Sequence, residues 1–241
     1  MPLFRRRRLL AAAALAVPAA HAAPGMEWVA ADLPPFAWSA PGGPQGYAHD
    51  LAVAMARQLG RPGRVSYVPW ARAVRMVEQG GNYGVFPLVR TPEREARFQW
   101  LVPLMVVRYG LYTLATRAPL SLDELRPLRV GLLRGSPIGA HLKAEGFQSL
   151  LSAKDYKDLL RLLREGTIDA IYAGTFMLEA AMDALGQPRS DFALRATLGE
   201  GTLYMAASLS VEADEVRRWL AAYQALDENG TVAQLRRRYL P

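Results

Sequence analysis

Cysteine is absent from the 241-residue sequence, and histidine occurs only three times. Without cysteine, the chain can form neither a disulfide scaffold nor the lipid-modified cysteine that tethers an exported protein to a membrane. His21, His49 and His141 stand alone in the sequence, so the spacing that metal ligands require is missing. We therefore predict no metal site and no cofactor.

The sequence also lacks an apolar run of the ~20 residues that a permanent transmembrane helix needs. Its longest apolar segment, residues 9–20, follows four arginines at 5–8 and precedes the small-x-small sequence at 20–22. This order is typical of a secretory signal peptide. The flanking pattern of a twin-arginine signal is missing, which favours general secretion. We predict a signal peptide over residues 1–22 and a periplasmic product that is not a lipoprotein.

Strong charge of one sign is missing as well. The formal net charge is +7, and the four arginines at 5–8 account for four of these charges, so about +3 remains after cleavage (7 minus 4). The basic residues are scattered except at 236–238, which we interpret as a solvated helix face. Nucleic acid is therefore not an expected partner.

Two segments of the sequence show the same order of structural elements, which indicates that one unit occurs twice. Residues 71–87 and 157–173 each contain an amphipathic helix, a glycine stop at Gly80 or Gly166, three further residues and a buried strand. Each strand then leads to a helix start, at Thr91 or Thr175. One α/β unit thus occurs twice, which predicts two lobes.

The remaining pattern alternates strands and helices. The predicted strands are 26–31, 64–68, 84–89, 106–115, 129–132, 168–173, 192–196 and 204–208, and the other predicted helices are 47–59, 213–225, 231–239 and one beginning at Pro137. Such alternation predicts mostly parallel sheets covered by helices. Ligands of these sheets bind beyond the carboxyl ends of the strands.

The stretch GVFPLVRTPERE, residues 84–95, combines a buried strand with a helix start and an arginine. We interpret Thr91 as an N-cap and Pro92 as the first helical residue. A helix N-terminus and a guanidinium together would clamp a carboxylate, which makes Arg94 a candidate anion ligand. The alternative is a surface arginine that pairs with Glu93 or Glu95.

Further candidate ligand residues follow other predicted strands. Ser136 begins a second helix after a strand and is either a ligand to the same anion or an ordinary cap; it has no histidine and acid at the spacing of a nucleophile. Phe36, Trp38 and Trp70 are either aromatic walls of a pocket or core residues. Arg72 is either a second anion donor or a solvated side chain.

These segments, in this order, resemble the bacterial extracellular solute-binding proteins of family 3. That family has the type-2 periplasmic binding fold and serves amino-acid ABC transporters. The similarity is carried by LPPFAW (33–38), GYAHDLAVAMARQLG (46–60), TPER (91–94), RVGLLRGS (129–136), IDAIYAG (168–174) and NGTVAQLRRRY (229–239).

The resemblance implies a two-lobed periplasmic-binding-protein-like II fold of the α/β class. Lobe 1 would comprise 23–113 plus 204–241 and lobe 2 would comprise 114–203, joined by hinge strands near 112–117 and 199–203. Arg94 aligns with the family's carboxylate-binding arginine. Gly174 stands where the amino-acid binders have an aspartate for the ligand's ammonium, so an ordinary α-amino acid is not secured as the ligand.

The leading hypothesis is therefore a monomeric periplasmic protein that captures a small, carboxylate-bearing, amino-acid-like ligand by hinge closure and presents it to an inner-membrane ABC permease. It needs no catalytic residue. One alternative, implied by the same fold, is a cyclohexadienyl or arogenate-type dehydratase with Glu179 or Glu200 as general acid. Another is a sensory or accessory binding protein without a permease.

Overall fold

The computed structural model describes residues 25–240, so the predicted signal peptide at 1–22 lies outside the described residues. The strands are β1 (Glu27–Ala30), β2 (Trp38–Ala40), β3 (Gly43–Gln45), β4 (Val65–Tyr67), β5 (Tyr83–Val89), β6 (Gln99–Leu114), β7 (Arg129–Leu133), β8 (Ser149–Ala153), β9 (Ala170–Gly174) and β10 (Phe192–Ala207). The helices are α1 (Tyr47–Gln58), α2 (Trp70–Glu78), α3 (Leu122–Leu125), α4 (Ile138–Ala144), α5 (Tyr156–Arg164), α6 (Thr175–Ala184), α7 (Ala213–Glu228) and α8 (Thr231–Tyr239), with 3-10 helices at Pro92–Arg97 and Arg189–Asp191. Among the helices of this range, none has both the length and the apolar character needed to cross a bilayer.

Eight strands form one sheet in the order β4-β1-β5-β10-β6-β9-β7-β8. The first half of the sheet, β4-β1-β5, is parallel, and so is the second half, β9-β7-β8. Between them lie β6 and β10, two 16-residue strands that pair antiparallel along their length and border both halves. The predicted α/β class and mostly parallel sheet are confirmed.

The repeated unit is α2-β5 in the first half and α5-β9 in the second. In α5, Leu159, Leu160 and Leu163 are buried on one face, and β9 is buried over its whole length. Glycine follows each helix in a left-handed conformation, with φ of 100° at Gly80 and 67° at Gly166, which allows the chain to turn sharply into the next strand.

Several predicted boundaries were wrong. Residues 192–207 form the single strand β10, not two strands, because its partner β6 continues alongside it. Strand β8 and the β2-β3 hairpin were not predicted. The predicted lobe boundaries, 113/114 and 203/204, fall inside β6 and β10, and the positions of these boundaries stay a prediction.

A buried ion pair supports the first half at the amino end of β1. Glu215 is 8% exposed and accepts hydrogen bonds from the Met26 amide (3.0 Å), Trp219 Nε1 (2.9 Å) and Arg61 Nη2 (2.9 Å). The guanidinium of Arg61, with help from the two N–H donors, lowers the pKa of Glu215 to about 2 despite its burial.

Candidate functional site

The carboxyl ends of the parallel strands in both halves converge on one cleft, as expected for open α/β sheets. At its centre lies a cavity of about 30 Å³, hereafter the central cavity, whose lining includes Trp70, Arg94, Tyr109, Ser136 and Gly174. This volume holds only about one or two water molecules. Arg94 follows β5, Ser136 follows β7 and Gly174 ends β9, so both halves contribute.

Two wider spaces adjoin the central cavity. The outer chamber, about 450 Å³, is lined by Asp32, Trp38, Tyr67, Trp70 and Tyr156 among others, and shares Trp70 and Tyr156 with the central cavity. The side mouth, about 410 Å³, shares Tyr109 and Tyr172 with the central cavity. The three spaces are therefore neighbours within the cleft.

Arg94 is the buried member of the 3-10 helix that joins β5 to β6, and its side chain reaches across the cleft. The residue is 5% exposed. Its Nη2 donates to the carbonyl of Gly135 in the second half (2.8 Å), and its Nη1 donates to the carbonyl of Val89 (3.4 Å). A guanidinium carries five N–H donors, so three are left for a ligand.

No carboxylate within residues 25–240 pairs with this guanidinium. The alternative, a surface arginine that pairs with Glu93 or Glu95, is wrong. Glu95 binds Arg90 (2.8 Å), and Glu93 forms no ion pair with Arg94. Burial lowers the pKa of Arg94 to about 10, so the group stays protonated at neutral pH. A desolvated cation with free donors attracts an anion.

Three tyrosine hydroxyls differ in how they are used around the central cavity. Tyr172 donates to the carbonyl of Leu198, and Tyr156 faces the sulfur of Met177 at 3.9 Å. Tyr109, 8% exposed, forms no hydrogen bond with any described residue, and its ring lies 5.8 Å from that of Tyr172. Burial raises the pKa of Tyr109 to about 12, so it is a neutral donor.

The turn 133–137 brings the second half close to the first. Gly135 has φ of 84°, and a Cβ at this position would lie 2.8 Å from the Cα of Ala71. The adjacent Ser136 lines the central cavity, and its side chain does not cap a helix, because α4 begins later with Pro137 at its N-cap. Its hydroxyl is therefore not committed to α4.

The family assignment agrees with this geometry. The model of the bacterial extracellular solute-binding proteins, family 3, matches residues 28–241. The chain belongs to this family. No curated protein matches the chain in sequence.

Solved structures resemble this family 3 member at low sequence identity. A substrate-binding protein of an ABC uptake transporter from Streptococcus pneumoniae with bound histidine has a TM-score of 0.79 at 15% identity, covering 89% of this chain and 92% of the other. An arginine-specific periplasmic binding protein from Salmonella typhimurium gives 0.78 at 13%, with 90% and 100% covered. A histidine kinase sensor domain gives 0.76 at 20%, with 89% and 96% covered. At these identities the similarity establishes the two-lobed periplasmic-binding fold.

The site residues predicted from sequence do not all meet in the cleft of this family 3 member. Arg94, Trp70, Ser136 and Gly174 line the central cavity, and Trp38 lines the outer chamber. Their roles as ligands stay predictions.

Phe36, Arg72 and Thr91 differ from the prediction. The Phe36 ring is fully buried and packs against Tyr47 at 6.5 Å, so it is a core residue and not a wall. Arg72 is exposed and lines none of the three spaces of the cleft. Thr91 borders the side mouth but makes no capping bond, and the helix after it is a six-residue 3-10 helix.

The two carboxylates considered for acid catalysis lie away from the central cavity. Glu179 accepts from the Tyr112 hydroxyl (2.7 Å) and from Arg189 (3.0 Å), and Glu200 is exposed at the side mouth. Within residues 25–240, no three acidic or histidine side chains are grouped as a metal site would require.

Tyr156 lines the central cavity but was not predicted from sequence. It opens α5 directly after the capping Asp155 and β8. Because β8 itself was not predicted, the sequence offered no strand end at which to place this ring.

Proposed function

We propose that this family 3 member binds a small, carboxylate-bearing solute in the cleft between the two halves. The observation that carries the proposal is Arg94, a guanidinium 5% exposed, without a carboxylate partner among the described residues and with three N–H donors left. Such a group is costly to bury and regains favourable interactions when an anion replaces the lost water.

The planar guanidinium would donate two N–H groups to the carboxylate, which is the geometry that gives arginine its strength and orientation. Ser136, from the other half, would add a hydroxyl. The ligand would thus contact both halves at once and favour their closure. Closure excludes water, which strengthens each of these electrostatic contacts.

The body of the ligand would occupy the outer chamber. Its volume of about 450 Å³ is in the usual range for small-molecule sites. Trp38, Trp70 and Tyr67 provide aromatic surface there, and Asp32 provides an exposed carboxylate. An amino-acid-like or other small carboxylic acid fits this combination, and relatives that bind histidine and arginine have the same fold.

The physiological role we propose is capture in the periplasm, as a monomer, for delivery to an inner-membrane ABC permease. The support is the signal-like N-terminus, the absence of cysteine and the family assignment. The dehydratase alternative has less support, because Glu179 is engaged with Tyr112 and Arg189 and Glu200 is exposed. The similarity to a histidine kinase sensor domain supports the sensory alternative, in which the partner is a receptor and not a permease. The proposed ligand site is the same in both cases.

Arg94→Ala tests the proposal. After a thermal-shift screen of amino acids and small organic acids identifies a ligand, the variant should lose about 100-fold or more in affinity by titration calorimetry, because a charge-assisted bidentate contact is removed. Its melting temperature without ligand should stay nearly unchanged, since the lost bond to Gly135 is offset by relief of a buried charge.

The matched control is Arg97→Ala, on the same 3-10 helix. Arg97 is exposed and pairs with Glu78 (2.9 Å), so its removal should leave affinity unchanged within about twofold. If Arg94→Ala binds the ligand as tightly as the Arg97 control does, the proposed site is wrong.

A further inference from the structure

The central cavity has positive charge and no negative charge. Of the described residues that line it, Arg94 is the only charged one. The polar residues beside it are Trp70, with its indole N–H, and Tyr109, Ser136, Tyr156 and Tyr172, with their hydroxyls. A carboxylate bound to Arg94 would therefore bring its α-substituent into surroundings of hydroxyl groups and backbone. An α-ammonium would meet no anionic partner there and would lie near a fixed positive charge.

The outer chamber and the side mouth do contain acidic side chains, but these are exposed or hydrogen-bonded to other groups. Asp32 is exposed in the outer chamber and accepts from the Ser39 amide (2.8 Å). Asp155 caps α5 through the Asp158 amide (2.7 Å). Glu93 and Glu200 are exposed at the side mouth. Glu78 and Glu93 act electrostatically on Arg94, but Glu78 pairs with Arg97 (2.9 Å) and neither forms an ion pair with Arg94. None of these acids lines the central cavity, so none contacts the space next to Arg94.

Tyr109 is the hydroxyl best suited to the α-position. It is 8% exposed, lines the central cavity, and has no hydrogen-bond partner among the described residues. Arg94 lines the same cavity of about 30 Å³, so the phenol and the guanidinium border one small space. A neutral phenol donates well to a hydroxyl or carbonyl oxygen but offers an ammonium only a neutral acceptor.

We propose that the site selects a carboxylic acid whose α-substituent is an oxygen, a 2-hydroxy or 2-oxo acid, over the α-amino acid of the same carbon skeleton, with Tyr109 as the specificity-determining donor. This inference rests on the proposed function, because it assumes that Arg94 holds the carboxylate. It adds which chemical group the ligand carries on the carbon next to its carboxylate.

Gly174 provides the reciprocal variant. Its backbone φ is −58°, which any residue adopts, and a Cβ would meet Met177 Sδ at 3.4 Å, an ordinary contact. Glycine is therefore not required there by the fold, and Gly174→Asp would place a carboxylate on the wall of the central cavity. Gly174→Asn has nearly the same shape without the charge and is the matched control.

The experiment measures affinities by titration calorimetry for matched acids. One set is L-phenylalanine, L-phenyllactate, phenylpyruvate and 3-phenylpropionate; the other is L-arginine and its 2-hydroxy analogue. The comparison uses whichever set binds the wild-type protein more tightly. Within that set, the 2-hydroxy or 2-oxo acid should bind at least about tenfold more tightly than the amino acid of the same skeleton. Tyr109→Phe should lower the affinity for the oxygenated acid about tenfold and leave that for 3-phenylpropionate unchanged, because the latter lacks an α-oxygen.

Gly174→Asp should reverse the preference toward the amino acid, whereas Gly174→Asn should not. Wild-type protein that binds the amino acid as tightly as the oxygenated acid, with both lost in Arg94→Ala, would overturn this inference and leave the proposed function standing. Wild-type protein that binds none of these acids would overturn this inference, and acids that bind equally well without Arg94 would overturn the proposed function and the inference with it.

Discussion

Gly135→Ala should weaken ligand binding by pushing the two halves apart. Gly135 lies in the turn after β7 and touches the start of α2 across the cleft. Two costs follow from an added methyl group. The backbone φ of 84° is in the left-handed region, and the new Cβ would lie 2.8 Å from the Cα of Ala71.

The magnitudes can be separated. A left-handed backbone costs a non-glycine residue about 1–2 kcal/mol. Carbon atoms pack at about 3.5–4.0 Å, so the contact with Ala71 is about 0.7–1.2 Å too short. Because the obstructing atom is backbone, the relief must come from a local separation of the halves. The bond from Arg94 to the Gly135 carbonyl, 2.8 Å long, would then exceed about 3.5 Å and be lost.

Gly166→Ala is the matched control, because Gly166 also has positive φ (67°) but a Cβ there meets nothing within 4 Å. Gly166→Ala should lower the free energy of unfolding by about 1–2 kcal/mol in urea, and Gly135→Ala should lower it by at least as much, because it also adds the contact with Ala71. Only Gly135→Ala should lower ligand affinity, by about tenfold, and raise the radius of gyration of the ligand-bound protein in small-angle scattering. Equal affinity in the two variants would refute the role of the Gly135–Ala71 contact in closure.

Two further predictions concern side chains remote from the cleft. Glu215→Gln should lower the free energy of unfolding by about 3 kcal/mol at pH 7, since a pKa lowered from 4.5 to about 2 corresponds to about 2.5 pH units of 1.36 kcal/mol each. In the wild type this stability is present above pH ~4.5 and is lost as the pH falls toward ~2, so urea titrations should show a weaker loss of stability at acid pH in the variant. Asp214→Asn, at an exposed carboxylate, serves as the control. Tyr112→Phe removes the 2.7 Å bond to Glu179 and should lower the free energy of unfolding by about 1 kcal/mol with ligand affinity unchanged within twofold; a larger loss of affinity would mean that this network takes part in binding.

The regular elements were predictable because they depend on local periodicity, and so was the cleft in which several of the candidate site residues meet. The α2-β5 and α5-β9 units show amphipathic helices, glycine stops and fully buried strands, each of which is written in adjacent residues. The rule that ligands bind at strand carboxyl ends then pointed to Arg94, Ser136 and Trp70, all of which line the central cavity.

Features that depend on distant partners were not predictable. The predicted gap between strands 192–196 and 204–208 is instead part of β10, because β6 pairs with β10 on both sides of an irregularity between Thr197 and Glu200. The 3-10 helix after Thr91 has good start signals but stops after six residues, since Phe98 adopts the extended backbone that leads into β6. Phe36 follows a strand just as Trp70 does, but the bridge between Leu33 and Ala37 closes the chain around it and the ring is buried.

The helices after Thr91 and Ser136 differ from the prediction, and this changes which groups are expected to bind the anion. The 3-10 helix at 92–97 and α4 at 138–144 are too short to provide a strong helix dipole, and neither has a side-chain cap. The attraction must then come mainly from the guanidinium of Arg94. Because its positive charge is not balanced by a carboxylate, its burial costs stability in the free protein, and the same desolvation strengthens its interaction with a ligand anion. Arg94 is attached to the first half and hydrogen-bonds to the second, so in the proposed function the free energy released when a ligand neutralises its charge would act directly on the closure of the two halves.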